Sequence, residues 1–205
     1  MDMARGPERA DSKRLDSICV FCGSSEAADP AFLAAARALG RALADSRLRL
    51  VYGGGGVGLM GACARAAHEA GGRVLGVIPD FLVGRERALE SVEHVVVTSM
   101  HQRKMMMFER ADGFVILPGG VGTLEEVVEL LSWRRLELHS KPVVFYNPRD
   151  FWRPLFELFQ MTVDENLTPA EFMGSWRSVD AVEAIIPALF EMAHPEDGKA
   201  VARKA

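Results

Sequence analysis

Leu48-Arg-Leu-Val-Tyr-Gly-Gly-Gly-Gly-Val-Gly-Leu-Met-Gly61 is a short apolar run that stops in glycines and then opens a helix-compatible stretch. Its apolar residues are nearly continuous rather than alternating with polar ones, so the strand it predicts must be covered on both faces. The same grammar recurs outward in both directions. Further runs predict strands over 17–23, 73–78, 94–98, 113–117 and 141–146, beside this one at 48–53. Amphipathic stretches fill the gaps and predict helices over 30–46, 58–69, 100–111 and 122–138. The first opens with Asp29-Pro30 as cap and first-turn proline and repeats Phe32, Leu33, Ala36, Leu39 and Leu43 on one face. Beyond Tyr146 the pattern turns helical, with Asp150 expected to cap a helix over 151–161 and a last helix expected over 179–192. Strands alternating with helices define an α/β class: a doubly wound, Rossmann-like parallel sheet with helices on both faces.

Size and composition bound the rest. With 205 residues, and roughly 150 per domain, one domain over 15–194 is expected, between flexible polar tails at 1–14 and 195–205. Hydrophobic residues at 49% and charged residues at 25% exclude wholesale disorder. The 28 Asp and Glu against 24 Lys and Arg leave a net charge of −4, which is not the footprint of a nucleic-acid binder. No apolar stretch approaches the roughly 20 residues that cross a bilayer, and the charged start lacks a signal-type core, so a cytoplasmic protein without a membrane partner is expected. Cys19 and Cys22 share one strand-like run, where residues three apart face opposite ways, so buried, unreactive thiols are expected.

In this fold class ligands sit beyond the C-terminal strand ends. Cys22-Gly-Ser-Ser25 leaves the first strand with two hydroxyls and free backbone N–H groups. The glycines after Tyr52 let a backbone approach a phosphate at a helix N-terminus. They contain the literal pattern Gly56-x-Gly58-x-x-Gly61, but after the second strand rather than the first, which argues against a nicotinamide dinucleotide. Pro118-Gly-Gly-Val-Gly-Thr-Leu-Glu-Glu126 repeats the strand, glycine and helix order and adds a hydroxyl and two carboxylates about 100° apart on a helix. Arg103 and Lys104 bring cations to the same edge, and Met100 could contact a flat base.

Pro118 to Glu126, with Met100-His-Gln-Arg-Lys104 upstream, resembles the LOG (Lonely Guy) family of cytokinin riboside 5'-monophosphate phosphoribohydrolases, long mislabelled lysine decarboxylases. Cys22-Gly-Ser-Ser25, Tyr52-Gly-Gly-Gly55, Gly58-Leu-Met-Gly61 and Gly76-Val-Ile-Pro79 agree in order, over roughly Ile18 to Asn147. The resemblance implies hydrolysis of the N-glycosidic bond of an adenosine-type 5'-monophosphate to free base and ribose 5-phosphate. It implies Arg103 and Glu126 as the catalytic pair, and Gly119, Gly120, Gly122 and Thr123 as the phosphate loop. Ser24, Gly54, Gly55, Met100 and Lys104 complete the candidates for substrate contact. The expected partners are a small purine nucleotide and a second copy in a homodimer, with no metal and no cofactor. A decarboxylase would need a pyridoxal-bearing lysine with a partner for the pyridine nitrogen, and neither Lys104 nor Lys141 has such a setting. Two other readings stay open: a nucleotide-binding or carrier module without chemistry, and a nucleosidase acting mainly on unmodified AMP.

Overall fold

In the computed structural model, which describes residues 15–194, the apolar runs form β1 (Ser17–Phe21), β2 (Arg49–Tyr52), β3 (Val74–Pro79), β4 (Glu93–Val97), β5 (Gly113–Ile116), β6 (Val143–Tyr146) and β7 (Arg177–Val179). The expected tails at 1–14 and 195–205 lie outside the described residues. The strands pair in parallel throughout, in the order β4-β3-β2-β1-β5-β6-β7. From β1 the chain winds outward to β4, then returns to the other side of β1 to begin β5. The switch point therefore lies between β1 and β5, where Ile18 faces Gly113 and Phe21 faces Ile116.

Between the strands lie α1 (Pro30–Asp45), α2 (Gly58–Glu69), α3 (Met100–Glu109), α4 (Val121–Arg135), α5 (Arg153–Asp164) and α6 (Ile185–Ala193). The two-residue alternation of β1 explains the layers. Ile18 and Val20 meet Leu39 and Leu43 of α1, Leu59 of α2 and Leu189 of α6 on one face. Cys19 and Phe21 meet Met107 of α3 and Val127, Leu130 and Leu131 of α4 on the other. Each fully buried large side chain contributes about 1.5–3 kcal/mol, so the two layers, not helix propensity, hold the helices in place. Cys19 and Cys22 fall in opposite layers, both buried and unpaired, and burial pushes both thiols well up, as expected of inert cysteines.

Asp29 caps α1 as read, its Oδ1 accepting from the Ala31 N–H at 2.8 Å. Three expectations near chain ends and turns are corrected. Asp150 does not cap the fifth helix: it sits at φ 58° in a short turn, and the Asn147 Oδ1 instead accepts the Trp152 N–H at 2.6 Å just before α5 begins. The helix expected over 179–192 divides into β7, a 3-10 turn at Val182–Ala184 and α6. Helix α4 stops at Arg135 because Glu137 turns left-handed at φ 58°.

Candidate active site

The loops leaving β1, β2 and β5 meet above the switch point because their backbones are tied together. The Gly23 N–H donates to the Pro118 carbonyl at 3.1 Å, and the Leu59 N–H donates to the Gly23 carbonyl at 3.0 Å. Between them is a cavity of about 270 Å³ whose wall includes Ser24, Gly53, Glu86, Arg103, Thr123 and Glu126.

Arg103 is only 5% exposed, and its guanidinium is committed largely to the protein. Nε donates to the Val77 carbonyl at 3.2 Å and Nη2 to the Gly53 carbonyl at 2.7 Å, so the side chain joins the ends of β2 and β3. Gly53 has to be glycine, since a Cβ there would strike the guanidinium. The charge nevertheless faces the cavity, with Glu86 Oε2 at 3.6 Å from Nη2.

Two carboxylates share this cavity. Glu126, partly buried in the first turns of α4, has its pKa pushed up to about 7, chiefly by burial, with Arg103 opposing and Glu125 and Glu86 adding to the rise. Glu86 is also raised by burial, again opposed by Arg103, and its buried Oε2 has no hydrogen-bond partner. A buried acceptor without a donor is costly, which suits it to a ligand's hydroxyl or N–H. Sequence reading missed Glu86. Glu86 lies in the irregular segment after β3, where its carbonyl accepts from the Gly56 N–H at 2.8 Å and the segment is brought over the β2 loop. Its one available signal was position, beyond the C-terminal end of a strand.

Gly120 caps α4 with no side-chain bond, so the first N–H groups of the helix have no side-chain partner, and Gly120, Val121, Gly122 and Thr123 of this first turn line the cavity. Open space surrounds the position of a Cβ on Gly120 and on Gly122. Such a helix end attracts an anion.

The remaining sequence candidates stand one step back. Gly119 packs its Cα side against Thr123, and Gly54, at φ 80°, packs against Ile78 and His94. Gly55 approaches Glu86 and Met60. Met100 touches the far side of Arg103, its Sδ at 3.9 Å from Nη1. Lys104 is absent from the cavity wall and turns instead to α4, its Nζ at 2.5 Å from Glu125 and 2.9 Å from Glu129. The other described lysine, Lys141, donates to the Phe108 carbonyl at 2.6 Å and is likewise outside the cavity. Neither lysine is placed to hold pyridoxal phosphate there. Among the described residues no group of three or more His, Cys, Asp or Glu side chains could hold a metal ion, and no helix is long and apolar enough to cross a membrane.

Fold and cavity together define a class: a doubly wound α/β protein with a small, acid-and-arginine-lined cavity at its switch point. The family model described as possible lysine decarboxylase matches residues 60–189. The chain is 47% identical over 153 residues to the cytokinin riboside 5'-monophosphate phosphoribohydrolase LOG7 of Arabidopsis thaliana, covering 74% of this chain and 70% of that one. It is 46% identical over 157 residues to the enzyme of the same name from Rhodococcoides fascians, covering 75% and 79%. At this level of identity the chain belongs to the LOG family, to which the decarboxylase description has been attached. Among solved structures, the Moco carrier protein of Chlamydomonas reinhardtii superposes with a TM-score of 0.66 at 23% identity, over 89% of this chain and 99% of that one. The molybdenum cofactor binding protein of Rippkaea orientalis gives 0.63 at 24%, over 85% and 94%. These two share the fold.

Proposed function

We propose that this protein is a phosphoribohydrolase that cleaves the N-glycosidic bond of a purine riboside 5'-monophosphate, a cytokinin nucleotide or AMP, using water. The observation that carries the reading is Glu126, a partly buried carboxylate in the same small cavity as the Arg103 guanidinium and the open N-terminus of α4. The 5'-phosphate sits against the N–H groups at Gly120, Gly122 and Thr123, with the Ser24 hydroxyl opposite. This fixes the anomeric carbon near Glu126. As the base leaves, positive charge develops on the ribosyl ring, and the Glu126 carboxylate stabilises it and orients the attacking water. The water oxygen bonds to the anomeric carbon and gives a proton to Glu126, the base departs with the electron pair of the broken bond and takes up a proton from solvent, Glu126 returns its proton to solvent, and the products are free base and ribose 5-phosphate. Arg103 holds the ends of β2 and β3 around the site and supplies a fixed positive charge beside both carboxylates. Glu86 accepts from a ligand hydroxyl.

The same reading places the activity in one domain over 15–194, in a cytoplasmic homodimer, and needs no metal or cofactor. The experiment is base release from AMP and from isopentenyladenosine monophosphate, with adenosine as control. Release from at least one monophosphate and none from adenosine is expected, since the helix end has nothing to hold without the phosphate. Equal cleavage of adenosine and AMP would refute the phosphate-anchored site. Binding of nucleotide without any release would favour a carrier.

A further inference from the structure

Lys104 follows Arg103 in α3, so the two side chains leave the helix about 100° apart. Arg103 enters the cavity, while Lys104 reaches across to α4. There its ammonium lies between Glu125, at 2.5 Å, and Glu129, at 2.9 Å, which are one helical turn apart. The Lys104 side chain is 14% exposed, and beside it a narrow hollow is lined by Phe108, Trp133 and Glu126 itself. Burial works against its charge, but the two carboxylates outweigh that and raise its pKa. Glu125 is 53% exposed and Glu129 28%, so the Coulomb gain of each contact is modest, and what sets this arrangement apart is that one ammonium bridges two acids across two elements.

We propose that Lys104 is a positioning residue for the hydrolase reaction: held between Glu125 and Glu129, it fixes the turn of α4 that carries Glu126 and neutralises the two acids flanking it. This rests on the phosphoribohydrolase reading and assigns Glu125, which the sequence left without a role. The groups facing Glu126 are Arg103 and Lys104 from α3, Glu125 on its own helix, Glu86 from the segment after β3, and the Cys19 and Cys22 thiols from β1 and its exit. Without Lys104, a positive charge that favours Glu126's ionisation is lost, and Glu125 stands uncompensated beside Glu126 and resists it. With Glu125 and Glu129 neutralised and Lys104 kept, ionisation becomes easier.

The test compares wild type with Lys104→Met, Lys104→Arg and the double variant Glu125→Gln/Glu129→Gln. Two readouts are taken. One is the titration of the Glu126 carboxyl by carbon NMR, assigned from Glu126→Gln. The other is the pH dependence of kcat and KM with AMP. Lys104→Met is expected to move the Glu126 midpoint up and lower kcat at pH 7 by about five- to tenfold, as the ionised fraction falls. KM should stay within about twofold, because a positioning residue does not touch the nucleotide. Lys104→Arg should restore the midpoint, and the double variant should move it down. A raised KM at unchanged kcat in Lys104→Met would overturn the proposal by showing that the ammonium contacts substrate. So would a midpoint that none of the variants moves. If Lys104→Met does not fold, the double variant decides alone, since a midpoint that is unmoved or raised contradicts the proposal. Should the wild type release no base from any nucleotide, the hydrolase reading falls while the NMR midpoints still judge the charge arrangement.

Discussion

At the scale of the residue, Glu126 meets two opposed requirements. A carboxylate is most effective beside a developing cation where water is scarce, and the same scarcity resists its ionisation. Its pKa of about 7 places that balance inside the working range, so kcat/KM should climb through an acid limb centred near pH 7. Glu126→Gln keeps the shape and loses the charge, and turnover should fall by roughly 10²- to 10⁴-fold with substrate affinity nearly unchanged, as read by single-turnover base release and calorimetric binding. Glu125→Gln alone should cost far less. Normal turnover in Glu126→Gln would remove the catalytic role. The same substitution carries a stability prediction of opposite sign. A carboxyl raised from 4.5 to about 7 on folding binds its proton more tightly in the native state, so wild type loses stability as pH rises between those values. The loss is on the order of 3 kcal/mol when complete. Glu126→Gln should therefore melt with wild type at pH 4 and clearly above it at pH 8, and equal melting temperatures at both would show that burial imposes no such cost.

At the scale of the element, the N-terminus of α4 separates glycines that shape the loop from glycines that leave room in it. A Cβ on Gly119 would collide with the Thr123 side chain, whereas one on Gly122 meets nothing. Gly119→Ala should lower the melting temperature. Gly122→Ala should leave it unchanged and raise KM for AMP by about tenfold, because the methyl takes space the phosphate needs. A Gly122→Ala protein with unaltered KM would move the phosphate elsewhere. These elements were legible because their signals are local: β1, β2, β3, β5 and β6 are apolar runs between glycine, proline and charge, and Asp29-Pro30 announces α1 within a residue. β7 was not legible. Its three residues Arg177-Ser-Val179 include two exposed ones and pair only at the sheet edge, so tertiary context alone makes them a strand. The site divides in the same way. Arg103, Thr123 and Glu126 stand in the motifs that carry the LOG resemblance, while Glu86 reaches the cavity through a backbone bond to Gly56, thirty residues earlier, that no local pattern encodes. The sequence put the Arg103 and Lys104 cations at one edge, and only the rotation of α3 turns Arg103 into the cavity and Lys104 to α4.

At the scale of the whole molecule, the sheet order puts the β5 loop at the centre and leaves one face of α4 uncovered. Val121, Leu124, Val128 and Ser132 recur at helical spacing along that face and, with Trp133 and the acids Glu125 and Glu129, line a shallow hollow of about 570 Å³. Val121 is 83% exposed and Val128 47%, so two large apolar side chains on this face stand in water. In the proposed homodimer, a two-fold axis beside α4 would set this stripe against its own copy, an arrangement in which each contact is made twice. Val121 belongs both to the stripe and to the cavity wall, so the partner would close the lip of the site. Val128→Asp places a charge in the middle of the stripe without entering the cavity or the core, and burying it unpaired in a dimer would cost several kcal/mol. The expected result is a monomer by light scattering at micromolar concentration, with unchanged circular dichroism and a raised KM for AMP. A wild-type protein that is already monomeric there, or a variant that remains dimeric, would shift the interface away from α4 and leave each cavity complete within its own chain.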